Sequence, residues 1–176
     1  MTGNFLFIGD SLIEFFNWQE RFPASRIANF GSAGETAEGL LARLPGITAR
    51  IPAADLVVVM TGTNNIAMED YTFLATYEKI ISLLQKNYPK SLIVMTSLLP
   101  IDFFFLGEAV PRVNRRLERI AAERRVHFLD LYPLFLDENS QAINAYYEPD
   151  GVHLSEAGYE VWARALEKNV FPLLAG

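Results

Sequence analysis

Phe5-Leu6-Phe7-Ile8-Gly9-Asp10-Ser11 is the stretch that decides how this chain is read. Four consecutive apolar residues closed by a glycine have the look of a short strand buried on both faces. The turn after such a strand exposes the Ser11 hydroxyl while the strand holds it still, which suits a nucleophile. Working outward, further short apolar runs rich in β-branched and aromatic residues occupy positions 27–30, 56–60, 92–96 and 126–129. Between them the spacing turns helical, as in Tyr77, Ile80, Ile81 and Leu84, then Val113, Leu117, Ile120 and Ala121. A last helix is announced by Ser155 as N-cap, with Glu156 in its first turn and Val161, Trp162, Ala165 and Leu166 on one face. This alternation predicts a three-layer α/β/α fold with a five-stranded, mainly parallel sheet. No linker, repeat or low-complexity segment divides it, so residues 1–176 are expected to form a single domain.

Ligands of such sheets bind where the carboxyl ends of the strands meet. Gly9, Asp10 and Ser11 follow the first strand, Gly31 to Glu35 the second, and Thr61, Gly62, Thr63, Asn64 and Asn65 the third. The long loop after the fifth strand reaches Asp150-Gly151-Val152-His153-Leu154. The polar and glycine-rich segments thus fall on one edge of the sheet. An aspartate three residues before a histidine can turn back and orient the imidazole, so Ser11, His153 and Asp150 supply a nucleophile, a base and its partner.

The chain has two histidines. His127 competes as base, but it lies in a strand pattern, where a structural role is expected. Asp10 is expected to brace its turn through backbone N–H groups rather than meet the imidazole. Acyl transfer also needs donors for the developing oxyanion. Ser11 N–H, Gly34 N–H and the Asn64 amide are candidates, with turn glycine and loop cap as the plainer readings of the last two.

Composition removes several classes. Fifteen basic against 21 acidic residues give a formal charge of -6, which disfavours nucleic acid as a partner. The arginines at 112, 115, 116, 119, 124 and 125 alternate with Glu118 and Glu123 and have the character of a solvated helix face. Cysteine is absent, which excludes disulfides and thiol nucleophiles and, with two histidines, makes no case for a metal site. No apolar stretch is long enough to span a bilayer as a helix, and the N-terminus runs directly into a strand, so a cytoplasmic location is expected.

Taken together, these segments resemble the GDSL or SGNH hydrolase family of lipases, esterases and thioesterases. The serine block is Gly9-Asp10-Ser11-Leu12, the glycine block Asn29-Phe30-Gly31-Ser32-Ala33-Gly34-Glu35-Thr36, the asparagine block Gly62-Thr63-Asn64 and the histidine block Asp150 to Leu154. They follow family order from residue 5 to residue 158. The resemblance implies a flavodoxin-like sheet in the order 2-1-3-4-5 and hydrolysis of esters without a cofactor. It also implies a Ser11–His153–Asp150 triad and an oxyanion hole of Ser11, Gly34 and Asn64. Asn65 departs from it, since the family commonly has aspartate there; the position is expected to brace its loop by hydrogen bonding. Gly-x-Ser-x-Gly does not surround Ser11, which argues against the α/β-hydrolases. The loop 31–34 lacks the lysine of a phosphate loop.

The expected substrate is a small ester, whether lipid, acyl ester or acetylated sugar. Phe15, Phe16, Trp18, Tyr146, Tyr147 and the run Phe103-Phe104-Phe105-Leu106 are candidate pocket walls, the last also a subunit contact. Platelet-activating-factor acetylhydrolase-like members dimerise, so the resemblance admits a homodimer. Two rivals share the fold: a carbohydrate O-acetylesterase on the same site, and an inactive binding module.

Overall fold

The computed structural model describes residues 2–101 and 108–174. Five strands, β1 (Asn4–Gly9), β2 (Arg26–Gly31), β3 (Leu56–Met60), β4 (Leu92–Thr96) and β5 (His127–Leu129), form one sheet in the order β2-β1-β3-β4-β5. Every adjacent pair is parallel, a stricter outcome than the mixed sheet the sequence allowed. Central β1 and β3 are buried almost throughout. The apolar runs of β2 and β5 have the look of strands covered on both faces, yet both are edge strands, as the order 2-1-3-4-5 implies, and remain largely half-exposed. A run of apolar residues records the faces that helices cover, whereas an edge is exposed along its side as well.

Among the described residues seven α-helices cover the two faces: α1 (Ser11–Glu14), α2 (Trp18–Arg21), α3 (Ala37–Arg50), α4 (Thr63–Ala67), α5 (Phe73–Asn87), α6 (Ala109–Arg124) and α7 (Glu156–Asn169). Helices α3, α5 and α6 pack side by side. Across the sheet, α2 and α7 share an aromatic layer in which Trp18 stacks on Phe7 of β1 at 4.5 Å and meets Trp162 edge-on at 5.1 Å. Each such pair adds about 0.5–1.5 kcal/mol beyond its buried area. As the spacing predicts, Tyr77, Ile80, Ile81 and Leu84 of α5 and Val113, Leu117, Ile120 and Ala121 of α6 are buried. The arginines of α6 lie on its exposed side, except that Arg124 is half-buried and pairs with Glu78. Among the described residues no helix is long and apolar enough to cross a membrane.

The chain leaves β1 toward β2 and returns past β1 to β3, so the connections diverge at the carboxyl end of β1. Such a switch point is where open α/β sheets bind their ligands. Here it is occupied by Ser11.

Candidate active site

Gly9 ends β1 at φ +153°, and a Cβ there would sit 1.8 Å from the Met60 carbonyl oxygen of β3. Only glycine allows the two strands to run this close before the chain turns. Asp10 is the N-cap of α1 and accepts from Leu12 N–H at 3.1 Å, which leaves Ser11 as the first helical residue. Its other carboxylate oxygen faces Thr63, at the start of α4, outside ordinary hydrogen-bond geometry. Burial pushes the Asp10 carboxyl up to about 6, opposed by Leu12 N–H, Thr63 and the charge of His153. Asp10 thus bonds the backbone of its own turn through Leu12 N–H.

The second part of the site is a locally closed loop. Glu148, Pro149, Asp150 and Gly151 make a turn in which Gly151 N–H donates to the Glu148 carbonyl, with Gly151 at φ +68°. Proline in the second position and glycine in the fourth favour such a turn. Glu148 N–H donates to the His153 carbonyl at 2.8 Å, and Tyr147 bridges Leu154. Asp150 Oδ1 then accepts from the N–H groups of Val152 and His153, both at 2.9 Å. Ser155 caps α7 by accepting from Gly158 N–H and donates to the Ala145 carbonyl.

These two parts meet across the sheet edge. His153 Nε2 lies 3.0 Å from Ser11 Oγ, and His153 Nδ1 lies 2.6 Å from Asp150 Oδ2. Hydrogen bonding from His153 holds the Asp150 carboxyl down at about 2. The Asp150 side chain is 51% exposed and that of His153 32%, so this end of the site is open to water. Phe15 is 56% exposed and sits against the His153 ring at 5.1 Å between centroids. Of the other candidate pocket aromatics, Trp18 is core, and Phe16, Tyr146 and Tyr147 are half-buried packing residues. The run Phe103 to Leu106 lies outside the described residues. His127 is remote from this cluster: it opens β5 at the amino end of the strand, in a groove with Gln85, Tyr88 and Arg125.

Gly34 occupies the left-handed region at φ +73° on an exposed turn. Among the described residues, neither Ser11 N–H nor Gly34 N–H is taken up by another protein group. The Asn64 amide donates one hydrogen to the Glu35 carbonyl at 2.9 Å; among the described residues its second hydrogen has no hydrogen-bond partner. Asn65 turns the other way and is buried. It accepts from Ala37 N–H at 3.0 Å and donates to Glu38 and Asp70, each at 2.9 Å. Burial works to raise the Glu38 carboxyl, but hydrogen bonds led by Asn65 outweigh it and hold it low. Asp70 is lowered by Thr72 and then by Asn65. An aspartate at 65 would put a third carboxylate against these two, which explains why an amide suits this chain.

Two supporting groups were not singled out from the sequence. Asn29 of β2 donates to the Ile13 carbonyl and accepts from Gly31 N–H, fastening α1 to the second strand. Arg43 pairs with Glu35 beneath the Gly34 turn. The available signal was a cation within three or four residues of Leu40, Leu44 and Ile47, the buried side of α3. Among the described residues no group of three or more His, Asp or Glu side chains is arranged to hold a metal ion.

The chain is similar to known proteins over nearly its whole length. Residues 7–161 match the model of the GDSL-like Lipase/Acylhydrolase family. The platelet-activating factor acetylhydrolase IB subunit alpha1 of Pongo abelii is 32% identical over 177 positions, covering 97% of this chain and 76% of that protein. Its Homo sapiens counterpart is 31% identical over the same shares. A solved Streptococcus pneumonia structure whose name refers to platelet activating factor superposes with a TM-score of 0.84 at 28% identity, covering 97% of this chain and 85% of that one. An acetyl xylan esterase from Geobacillus stearothermophilus shares the fold at a TM-score of 0.79 and 22% identity, with 96% and 95% covered. The chain belongs to the GDSL-like lipase/acylhydrolase family.

Proposed function

We propose that this protein is a serine esterase that cleaves small carboxylic esters through an acyl-enzyme on Ser11. The observation that carries the reading is the continuous contact from Ser11 Oγ to His153 Nε2, and from His153 Nδ1 to Asp150. His153 Nε2 takes the hydroxyl proton as Ser11 Oγ bonds to the ester carbonyl carbon. The carbonyl oxygen becomes an oxyanion held by Ser11 N–H, Gly34 N–H and the free Asn64 hydrogen. Collapse of this intermediate breaks the bond to the alcohol, which leaves with the proton from His153. Water then gives a proton to His153 and its oxygen to the acyl carbon. The second intermediate expels Ser11 Oγ, which regains the proton, and releases the carboxylic acid. Asp150 stays ionised throughout, fixing the tautomer and stabilising the imidazolium.

An acetyl ester is the first substrate to test, because the curated relatives are named acetylhydrolases. Ser11→Ala should lower kcat on p-nitrophenyl acetate by roughly 10⁴-fold or more, since the covalent step is lost. Retention of a tenth of the activity would remove Ser11 from the mechanism. A panel of acetylated sugars and lipid esters then separates the esterase from a carbohydrate O-acetylesterase. Absence of labelling by a fluorophosphonate would favour an inactive binding module.

A further inference from the structure

Under the Gly34 turn lies an ion pair that the reaction, as proposed, does not use. Arg43, two helical turns into α3, donates through Nε to Glu35 Oε1 and through Nη2 to Glu35 Oε2 at 2.7 Å. The same Nη2 reaches the carbonyl oxygens of Phe30 at 2.6 Å and Gly9 at 3.2 Å. The Glu35 side chain is 10% exposed and that of Arg43 29%. A bidentate pair this enclosed has a defined geometry, unlike a solvated surface pair. One guanidinium thus ties together the carboxyl ends of β1 and β2 and the residue that follows Gly34.

Two of these ties, to Gly9 and to Glu35, lie close to an oxyanion donor. Gly9 is two residues before Ser11, Glu35 is one residue after Gly34, and the Glu35 carbonyl holds the Asn64 amide at 2.9 Å. We propose that the Arg43–Glu35 pair is a positioning clamp that sets the three oxyanion donors relative to one another before substrate arrives. The clamp does not touch the reacting atoms; it acts through the Gly9 and Glu35 backbone. Lysine cannot replace it, because a single ammonium lacks the planar fork that meets both carboxylate oxygens and the strand carbonyls together.

This inference rests on the serine-esterase reading, and its test is separable from that reading. Full-length wild type, Arg43→Gln, Arg43→Lys, Glu35→Gln and Asn64→Ala are assayed on p-nitrophenyl acetate. Inhibition is measured with a trifluoromethyl ketone, whose Ser11 adduct bears an oxyanion. A donor displaced by about an ångström costs up to about 10²-fold, so Arg43→Gln and Glu35→Gln should each lower kcat by roughly 10- to 100-fold. KM should stay within about twofold, because the anion exists chiefly in the transition state. The trifluoromethyl ketone should weaken by the same factor as kcat. The acid limb of the pH–rate profile, which reports the base, should not move. Arg43→Lys should recover only part of the loss. Combined with Asn64→Ala, Arg43→Gln should cost less than the product of the two single losses, since part of its effect passes through Asn64.

A purely electrostatic role gives a different pattern. Arg43→Gln would then lose activity by baring the Glu35 carboxylate beside the hole, while Glu35→Gln would gain. That pattern, unchanged kcat in both variants, a shifted acid limb or fully multiplicative losses with Asn64→Ala would each overturn the clamp. Failure of all three clamp variants to fold would make the pair a folding element and overturn it as well. Should Ser11→Ala keep its activity, the esterase reading falls first, whatever the clamp variants do.

Discussion

At Asn64 one amide hydrogen is held by the Glu35 carbonyl and the other is not engaged by a described residue, while Asn65 beside it has both hydrogens engaged by carboxylates. Neighbouring residues of one type therefore predict opposite phenotypes. Asn64→Ala should lower kcat by about 10²–10³-fold with KM and melting temperature little changed. Asn65→Asp should instead lower stability by about 1–3 kcal/mol, since a buried acceptor replaces a donor against Glu38 and Asp70. Kinetics and thermal melts on the same two preparations distinguish the roles; equal kcat losses at unchanged stability would show the assignment to be wrong. Asp10 adds a pH-dependent case. Its carboxyl lies at about 6 in the folded protein, against about 3.9 in an unfolded chain. Between those values the folded state keeps a proton that the unfolded state has released, so this residue's contribution falls as pH rises from about 4 to 6. Asp10→Asn can still cap α1 but does not titrate. Its stability relative to wild type should rise over that interval by an amount on the order of 3 kcal/mol. Melts at pH 4 and pH 7 measure it, and a gap that stays constant would contradict the raised carboxyl.

Helix starts and strand ends position the proposed catalytic groups, and several of these local elements could be read in advance. Ser155 is recognisable as an N-cap because it precedes an acidic first turn and an apolar helical face, and it accepts from Gly158 N–H as expected. It also donates to Ala145, so it anchors the loop that carries Asp150 and His153. Ser155→Ala should cost about 1 kcal/mol as a lost cap and lower the melting temperature by a few degrees. An unchanged melt would show that the loop is held by the Tyr147–Leu154 bridge alone. The short helices α1, α2 and α4 were harder to foresee. Four or five residues are too few for a periodic signal; Asp10 and Asn17 cap α1 and α2, whereas α4 starts at Gly62 with no side-chain cap. The half-exposure of β2 follows from its place at the sheet edge, not from its own run of residues.

Across the whole molecule, the sheet separates the two histidines. His153 stands at the carboxyl edge beside Ser11, whereas His127 opens β5 at the other edge, half-buried and with its pKa lowered by that burial. His153→Ala should abolish esterase activity, and His127→Ala should retain most of it if folded; the reverse result would place the base on the wrong side of the sheet. The sequence by itself determined the elements and the local pairings: the strand before Ser11, its turn, the cap of α7, and the Asp150–His153 contact three residues apart. These depend on near neighbours, through side-chain periodicity and short-range hydrogen bonds. Only the tertiary structure decided that His153 Nε2 comes to 3.0 Å from Ser11 Oγ across 142 residues and that Arg43 joins Gly9, Phe30 and Glu35. Those facts follow from strand order and helix placement, which are set by how the whole chain buries its apolar faces at once.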